Sequence, residues 1–383
     1  MSALVLDTGF TIQFLLEQIA RVEGDRGISV ENLESFEAKK NENPAFMSRI
    51  IKVSFKWKKA TGIDSVILKV PCFQNPGKQE NTSRIEEFLT QAHTRECDFY
   101  AFFNSIEGTS LKLPKFYYGH EYSNAHNNGL LVMEDMSGFA KTDKMLPGFT
   151  NEQVENLIHE IAKIHVASWQ HPEWIPQFGW RVAGAFAFVL ECRDVGQNLR
   201  KIKGEVFNDL LDRMEPLFTV ESLDKVSYVK EPYVAGIPPA CVHTDLWAAN
   251  ILWKLDENGK ITSEVAGIID WQTCKAGNAA EDVLRLLASN CSSKYRRENT
   301  ERLLKLYLND VNKLMGKNFI SYKQLYEAYH ESMAQEAILA IFGAPLYCNM
   351  ENVTGGPNSA QLKEELLDRT QALIEDTLKW NNL

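Results

Sequence analysis

The run Cys241-Val-His-Thr-Asp-Leu-Trp-Ala-Ala-Asn-Ile-Leu-Trp253, followed by Gly267-Ile-Ile-Asp-Trp271, decides how the rest of the chain is read. It sets one carboxylate, Asp245, five residues before an amide, Asn250, and ends an apolar β-type run on a second carboxylate, Asp270. Phosphoryl transfer from ATP needs these parts: a carboxylate that orients the acceptor hydroxyl and takes its proton, plus an Asn and an Asp that hold Mg²⁺ on the phosphates. Each residue also has a plainer reading. Asp before Leu-Trp-Ala-Ala is a common cap or turn residue, and His-x-Asp alone is a weak motif. Asn250 and the strand ending in Asp270 add the weight. On the chemical reading Asp245 is the catalytic base, and Asn250 and Asp270 are the metal ligands. His243 belongs to the same loop. With no Ser or Cys beside it to activate, it is expected to hold the loop through a ring hydrogen bond.

Outward from this stretch, 383 residues are enough for a large core and two lobes or domains. Hydrophobic residues at 44% and charged residues at 24% describe an ordinary globular chain. The net charge of −10 argues against a nucleic-acid partner, which needs a basic face. It leaves room for an anionic nucleotide, because a few lysines and a metal ion outweigh the global balance locally. The seven cysteines (72, 97, 192, 241, 274, 291 and 348) include no CxxC pair, so neither a zinc site nor a disulfide framework is indicated. Free thiols fit a reducing compartment. No basic-then-apolar leader opens the chain, and no uncharged apolar run approaches the ~18 residues of a membrane span. A cytosolic protein without a membrane partner is expected. The Asn-x-Ser/Thr triplets at Asn81, Asn290 and Asn352 then read as chance matches.

Periodicity predicts a helix over 8–22, strands over 33–40, 48–57 and 64–70, and a helix over 82–105. In the second strand Ile51, Val53, Phe55 and Trp57 alternate with polar residues. Two more strands are predicted at 113–121 and 129–135. Beyond Ser137-Gly138 the pattern becomes helical: 150–170, 180–217, 280–289, 296–315, 321–342 and 359–380. The exception is a β-hairpin over 251–270, closed by Asp256-Glu-Asn-Gly259. This is an α+β bilobal plan: an N-lobe over 1–136 with an antiparallel sheet and one helix, and a larger, mainly helical C-lobe over 137–383. The change falls near 136–150, where Pro147-Gly148 breaks the pattern.

Lys69 lies in the apolar strand Ser65-Val-Ile-Leu-Lys-Val-Pro71. A lysine there must reach solvent at a sheet edge or find an anion, because burying a free ammonium is costly. The functional reading pairs it with the ATP phosphates and with a glutamate of the following helix. Glu96 is the first candidate for that glutamate. Glu86 and Glu87 compete, although acidic residues near a helix N-terminus are also favoured by its dipole. Leu130-Leu-Val-Met-Glu-Asp-Met-Ser-Gly138 is where a kinase linker meets adenine. Met133 would line the pocket, with the Glu134 carbonyl and the Met136 amide toward the base; a strand and a turn are the alternative.

Lys69, Glu96, Met133-Glu-Asp, His243-x-Asp-x-x-x-x-Asn250 and Ile268-Ile-Asp-Trp271 together resemble the CHK kinase-like family. This is the ecdysteroid-kinase-like branch of the choline kinase and aminoglycoside phosphotransferase group. Phe46-Met-Ser-Arg49, Arg95-Glu-Cys-Asp-Phe-Tyr100 and Gly277-Asn-Ala-Ala-Glu-Asp282 extend the resemblance over about residues 30–345. It implies one domain of protein-kinase-like fold that uses ATP and Mg²⁺ to phosphorylate a small-molecule hydroxyl. One departure stands out. The phosphate-covering turn reads Asn41-Glu-Asn-Pro-Ala-Phe-Met-Ser48, with Pro44-Ala45 where the family carries glycine. Proline removes an amide donor and alanine restricts the backbone, so an altered grip on ATP is expected. Ser48 and the amides of Phe46 and Met47 remain as phosphate contacts.

Only about ten residues separate Asp270 from the helix near Ala280, and no Ala-Pro-Glu follows, so a peptide-docking activation segment is missing. A small-molecule alcohol, and no protein substrate, is the expected acceptor partner. Trp247, Trp271 and Tyr347 are candidates to line its pocket, with core positions as the alternative. Asp282 and Arg285 are read as structural braces of the catalytic loop. His159 and His165, six apart, share no helical face for a metal and read as core or surface histidines. Two other functional classes stay open: a pseudokinase scaffold, suggested by Pro44-Ala45, and a metal-dependent hydrolase, which would need further His/Asp ligands.

Overall fold

A computed structural model describes residues 3–24, 26–40, 48–72, 82–122, 129–180, 185–219, 222 and 234–383. The chain divides into two compact units. One comprises Met1–Thr109, Leu113–Phe139 and Asp270–Thr273; the other comprises Ser110–Lys112, Ala140–Ile269 and Cys274–Leu383.

In the first unit the described strands β1 (Leu33–Lys40), β2 (Ser48–Trp57), β3 (Ser65–Pro71), β4 (Phe116–His120) and β5 (Leu130–Glu134) form an antiparallel sheet in the order β1-β2-β3-β5-β4. Ile51, Val53 and Phe55 of β2 and Val66, Leu68 and Val70 of β3 are buried in one cluster, as a period of two requires. Helix α1 (Ile12–Glu23) covers that cluster with Leu15, Leu16 and Ile19. It begins later than the periodicity suggests, because Leu4 bridges Thr11 and the Thr11 hydroxyl then caps the Phe14 amide. Lys69 falls out of register with Val66, Leu68 and Val70. The alternation therefore turns it to the opposite side of β3, where it meets Glu96 of helix α2 (Thr82–Ser105).

The second unit is mainly helical. Helix α3 (Asn151–Gln170) starts on a capping box in which Thr150 and Gln153 satisfy each other's amides. The predicted hairpin forms β8 (Ile251–Leu255) and β9 (Ile261–Ile268), turning through Asp256 and Gly259, and β6 (Ala140–Thr142) joins it in the order β6-β8-β9. A separate pair, β7 (Ala240–Val242) with β10 (Lys275–Gly277), flanks the stretch that carries His243, Asp245, Asn250 and Asp270. Three residues per strand give no periodic signal, which is why these strands are not evident from sequence.

The helical stretch expected over 180–217 divides into α5 (Ala185–Gly196) and α6 (Asn198–Met214), preceded by α4 (Trp174–Phe178). Helices α7 (Ala280–Asn290) and α8 (Ser293–Met315) follow β10. The stretch expected over 321–342 is two helices, α9 (Tyr322–Glu331) and α10 (Met333–Tyr347), which meet at Ser332. The short α11 (Glu351–Thr354) and the long α12 (Ser359–Trp380) complete the chain. Among the described residues, no helix is long and apolar enough to cross a membrane.

Candidate active site

In the first unit the Lys69 ammonium lies 2.6 Å from Glu96 Oε2 and 2.6 Å from Asp270 Oδ1. The Lys69 side chain is 9% exposed and that of Glu96 is 1% exposed. Burial alone would discharge the lysine. The two carboxylates overcome that effect and hold its pKa above the ordinary lysine range. Glu96 responds in the opposite sense. Burial pushes its carboxyl up to about 7, with Lys69 pulling it down and Asp270 pushing it further up. One ammonium thus serves two carboxylates.

Asp270 adopts φ 68, a left-handed conformation that L-residues rarely take outside functional or tightly determined sites. The next residue fixes it. Trp271 is buried and stacks on Phe99 of α2 at 4.0 Å and 8°. Trp271 is therefore a core residue rather than a pocket wall.

The linker segment is tied down in the same unit. Met133 and Met136 are buried. The Glu134 amide donates to the Lys115 carbonyl, and the Glu134 carboxylate accepts from the Lys115 amide. Asp135 turns inward to accept from Lys52 Nζ at 2.7 Å, Ser65 Oγ at 2.6 Å and the Ser137 amide at 2.9 Å. Burial opposes its ionisation, yet these donors hold the carboxyl down to about 2. Ser48 opens β2 opposite Pro71 and is buried. Phe46, Met47 and Pro44-Ala45 lie outside the described residues.

In the second unit the loop after β7 is held from several directions. The amides of His243 and Thr244 both donate to the Asp282 carboxylate, at 2.8 and 3.0 Å. Asp282 also pairs with His165, whose other ring nitrogen meets the Tyr307 hydroxyl. Burial works against the Asp282 charge, but the His165 contact and the amides hold its pKa below the usual carboxylate range. His243 Nδ1 accepts from the Asp245 amide, so Nε2 carries the proton and donates to the Ile269 carbonyl at 2.9 Å. The ring thus joins the loop to the residue before Asp270, as a structural histidine. Thr244, at φ 70, makes the sharp turn that sets Asp245 outward.

Asp245 stays accessible, with its side chain 39% exposed. Its Oδ1 accepts from Arg285 Nη2 at 2.8 Å, and its Oδ2 lies 3.3 Å from Asn250 Nδ2. The Asn250 amide group donates more closely to the Asp245 carbonyl, at 2.9 Å, which leaves its side-chain oxygen as the atom able to ligate a metal. Trp247 and Tyr347 stack at 5.5 Å and 21°, both half-buried. The structure therefore groups Lys69, Glu96 and Asp270 in one unit, and His243, Asp245 and Asn250 in the other.

The DUF1679 family model, described as uncharacterized oxidoreductase dhs-27, matches residues 66–383. The chain belongs to this ecdysteroid-kinase-like family. Two Caenorhabditis elegans proteins are similar to it. The uncharacterized kinase-like protein D1044.1 is 25% identical over 304 residues, 78% of this chain and 79% of that one. The uncharacterized oxidoreductase dhs-27 is 22% identical over 354 residues, 86% of this chain but 41% of that protein. Among solved structures, choline kinase from Cryptosporidium parvum Iowa II aligns with a TM-score of 0.53 at 12% identity, covering 94% of this chain and 98% of that one. That likeness shows the protein-kinase-like fold: an antiparallel sheet N-terminally and a mainly helical C-terminal part.

In this ecdysteroid-kinase-like chain, three contributors have roles that the sequence motifs do not assign. His165, expected as an ordinary core or surface histidine, anchors Asp282. Asp135 organises the linker. Glu336 of α10 pairs with Arg285 at 2.9 Å. A carboxylate inside the apolar run Met333-Ala-Gln-Glu-Ala-Ile-Leu-Ala340 is the one sequence signal that could have found it, since a buried acid needs a partner.

Proposed function

We propose that this chain is an ATP- and Mg²⁺-dependent kinase that phosphorylates a hydroxyl group of a small molecule. The observation that carries the reading is the buried Lys69–Glu96–Asp270 cluster, supported by an accessible Asp245 on a loop fixed by Asp282 and Arg285. When bound, ATP supplies the phosphoryl group and Mg²⁺ neutralises its phosphates. The chemistry of the proposed ligands suits that metal: the Asp270 carboxylate and the Asn250 amide oxygen are each hard oxygen donors of the kind Mg²⁺ prefers.

In this proposal Lys69, oriented by Glu96, contacts the phosphates; the linker at Met133, Glu134 and Met136 holds the adenine; Ser48 is a further phosphate contact. Asp245 aligns the acceptor hydroxyl and takes its proton. Catalysis is positioning and charge stabilisation, without a covalent enzyme intermediate. An alcohol acceptor is consistent with the choline kinase likeness and with the short segment between Asp270 and α7. A cytosolic location follows as part of the same proposal. The oxidoreductase in the family description names a protein of which this chain matches 41%, and this sequence contains no Gly-x-Gly-x-x-Gly dinucleotide fingerprint. Among the described residues, the further His, Cys, Asp or Glu ligands of a two-metal hydrolase do not gather.

A thermal-shift titration with MgATP tests the proposal against the scaffold alternative. A ligand that binds the folded state raises its midpoint, by about 2.7 kcal/mol of stability at a hundred times Kd. A rise with MgATP that Asp270→Ala abolishes is expected. No shift at millimolar MgATP would favour a scaffold.

A further inference from the structure

We infer that Arg285 is a positioning residue for phosphoryl transfer: a guanidinium, itself held by Glu336, that aims the Asp245 carboxylate at the acceptor. The inference rests on the phosphotransferase reading above.

The geometry of Asp245 carries it. A carboxylate turns broadly about its last bond, and a side chain 39% exposed has room to do so. Its firm side-chain donor is Arg285 Nη2, 2.8 Å from Oδ1. Asn250 approaches Oδ2 only at 3.3 Å and bonds the Asp245 backbone more closely. With Oδ1 held, Oδ2 is the oxygen left to meet a hydroxyl.

Arg285 cannot wander. Its side chain is 10% exposed, and its Nη1 donates to Glu336 Oε1 at 2.9 Å. The two partners stand on different helices, α7 and α10, and Tyr347 lies beside the same guanidinium. This is a poor device for stability. A buried ion pair barely offsets its desolvation against an apolar substitute, and among the described residues Arg285 Nε has no partner. What an apolar pair could not supply is a fixed planar donor whose two ends serve two carboxylates.

The expected effects follow from alignment. A misplacement of about 1 Å at a reacting group costs on the order of 10²-fold in rate. Arg285→Met is expected to lower kcat by that factor and to leave KM for ATP within about twofold, since no part of the proposed ATP contact set is removed. Arg285→Lys keeps the charge without the fork and is expected to fall between the two. Glu336→Gln retains an acceptor oxygen and is expected to cost about tenfold, because its effect passes through Arg285.

The test is steady-state MgATP hydrolysis, with water as the phosphoryl acceptor, by wild type, Arg285→Met, Arg285→Lys, Glu336→Gln, Asp245→Asn and the Asp245→Asn/Arg285→Met pair. Circular dichroism and the MgATP thermal shift verify folding, and Arg285→Lys replaces Arg285→Met in the cycle if the latter does not fold. A residue that acts through Asp245 loses its effect once Asp245 is gone, so the double variant should match Asp245→Asn. A purely structural brace would multiply the two losses. Wild-type kcat in the Arg285 variants, or multiplied losses in the pair, would overturn the inference and leave the kinase proposal standing. A wild type with no MgATP turnover on water or on added alcohols would overturn that proposal and this inference with it.

Discussion

Asp135→Asn probes the linker through a charge the structure has committed. The carboxylate is 3% exposed and receives Lys52, Ser65 and Ser137 within 2.9 Å. Its pKa is held at about 2 against an ordinary 3.8. A depressed carboxyl contributes stability that is present above the ordinary pKa and lost as pH falls through the depressed one. Holding the carboxyl at about 2 corresponds to about 2 kcal/mol once the half-exposed Lys52 is discounted for solvent screening. The substitution keeps the shape and an acceptor oxygen but removes the charge. Urea unfolding should therefore show Asp135→Asn less stable by about 2 kcal/mol at pH 7, with the gap narrowing from pH 4 downward. Because Asp135 lies between Glu134 and Met136, KM for ATP should rise several-fold while kcat changes little. Equal stability at pH 7, or a gap independent of pH, would refute the reasoning.

Three further outcomes follow. Glu96→Gln should have the opposite pH signature: the wild-type carboxyl is raised to about 7, so its contribution is present below 4.5 and lost as pH rises through 7. Unfolding at several pH values should find the variant gaining on wild type across that window, even as its ATP turnover falls. Lys69→Met leaves two carboxylates without their cation, and a loss of about 3–5 kcal/mol is expected in the same assay. Gly148→Ala should cost at least about 1–3 kcal/mol by thermal unfolding, because φ is 126 and an added Cβ would lie 2.7 Å from the Asn290 carbonyl.

Much of the fold was legible because it rests on long periodic segments. The alternation in β2 and the stripe in α3 each identify an element and its buried face before any packing is known. The bilobal α+β plan follows from their order, and the protein-kinase-like reading from the family resemblance. What stayed hidden was short or distant. Strands β7 and β10 have three residues each and flank the Asp245 loop from positions far apart in sequence. The candidate site divides in the same way. Asp245, Asn250 and Asp270 announce themselves by spacing, and Lys69 by its place in an apolar strand. Arg285 was legible only as a structural brace and Glu336 not at all, because their pairing is a contact between α7 and α10 across 51 residues. His165 was legible only as a core or surface histidine, not as the partner that keeps Asp282 on the loop amides.

The most direct test of the central claim is transfer of the γ-phosphate of MgATP to a panel of small alcohols, comparing wild type with Asp245→Asn. The account predicts an acceptor that wild type phosphorylates, with turnover reduced about 10²–10⁴-fold in the variant and MgATP binding retained. Transfer by Asp245→Asn at the wild-type rate, or no phosphorylated acceptor from wild type, would contradict it.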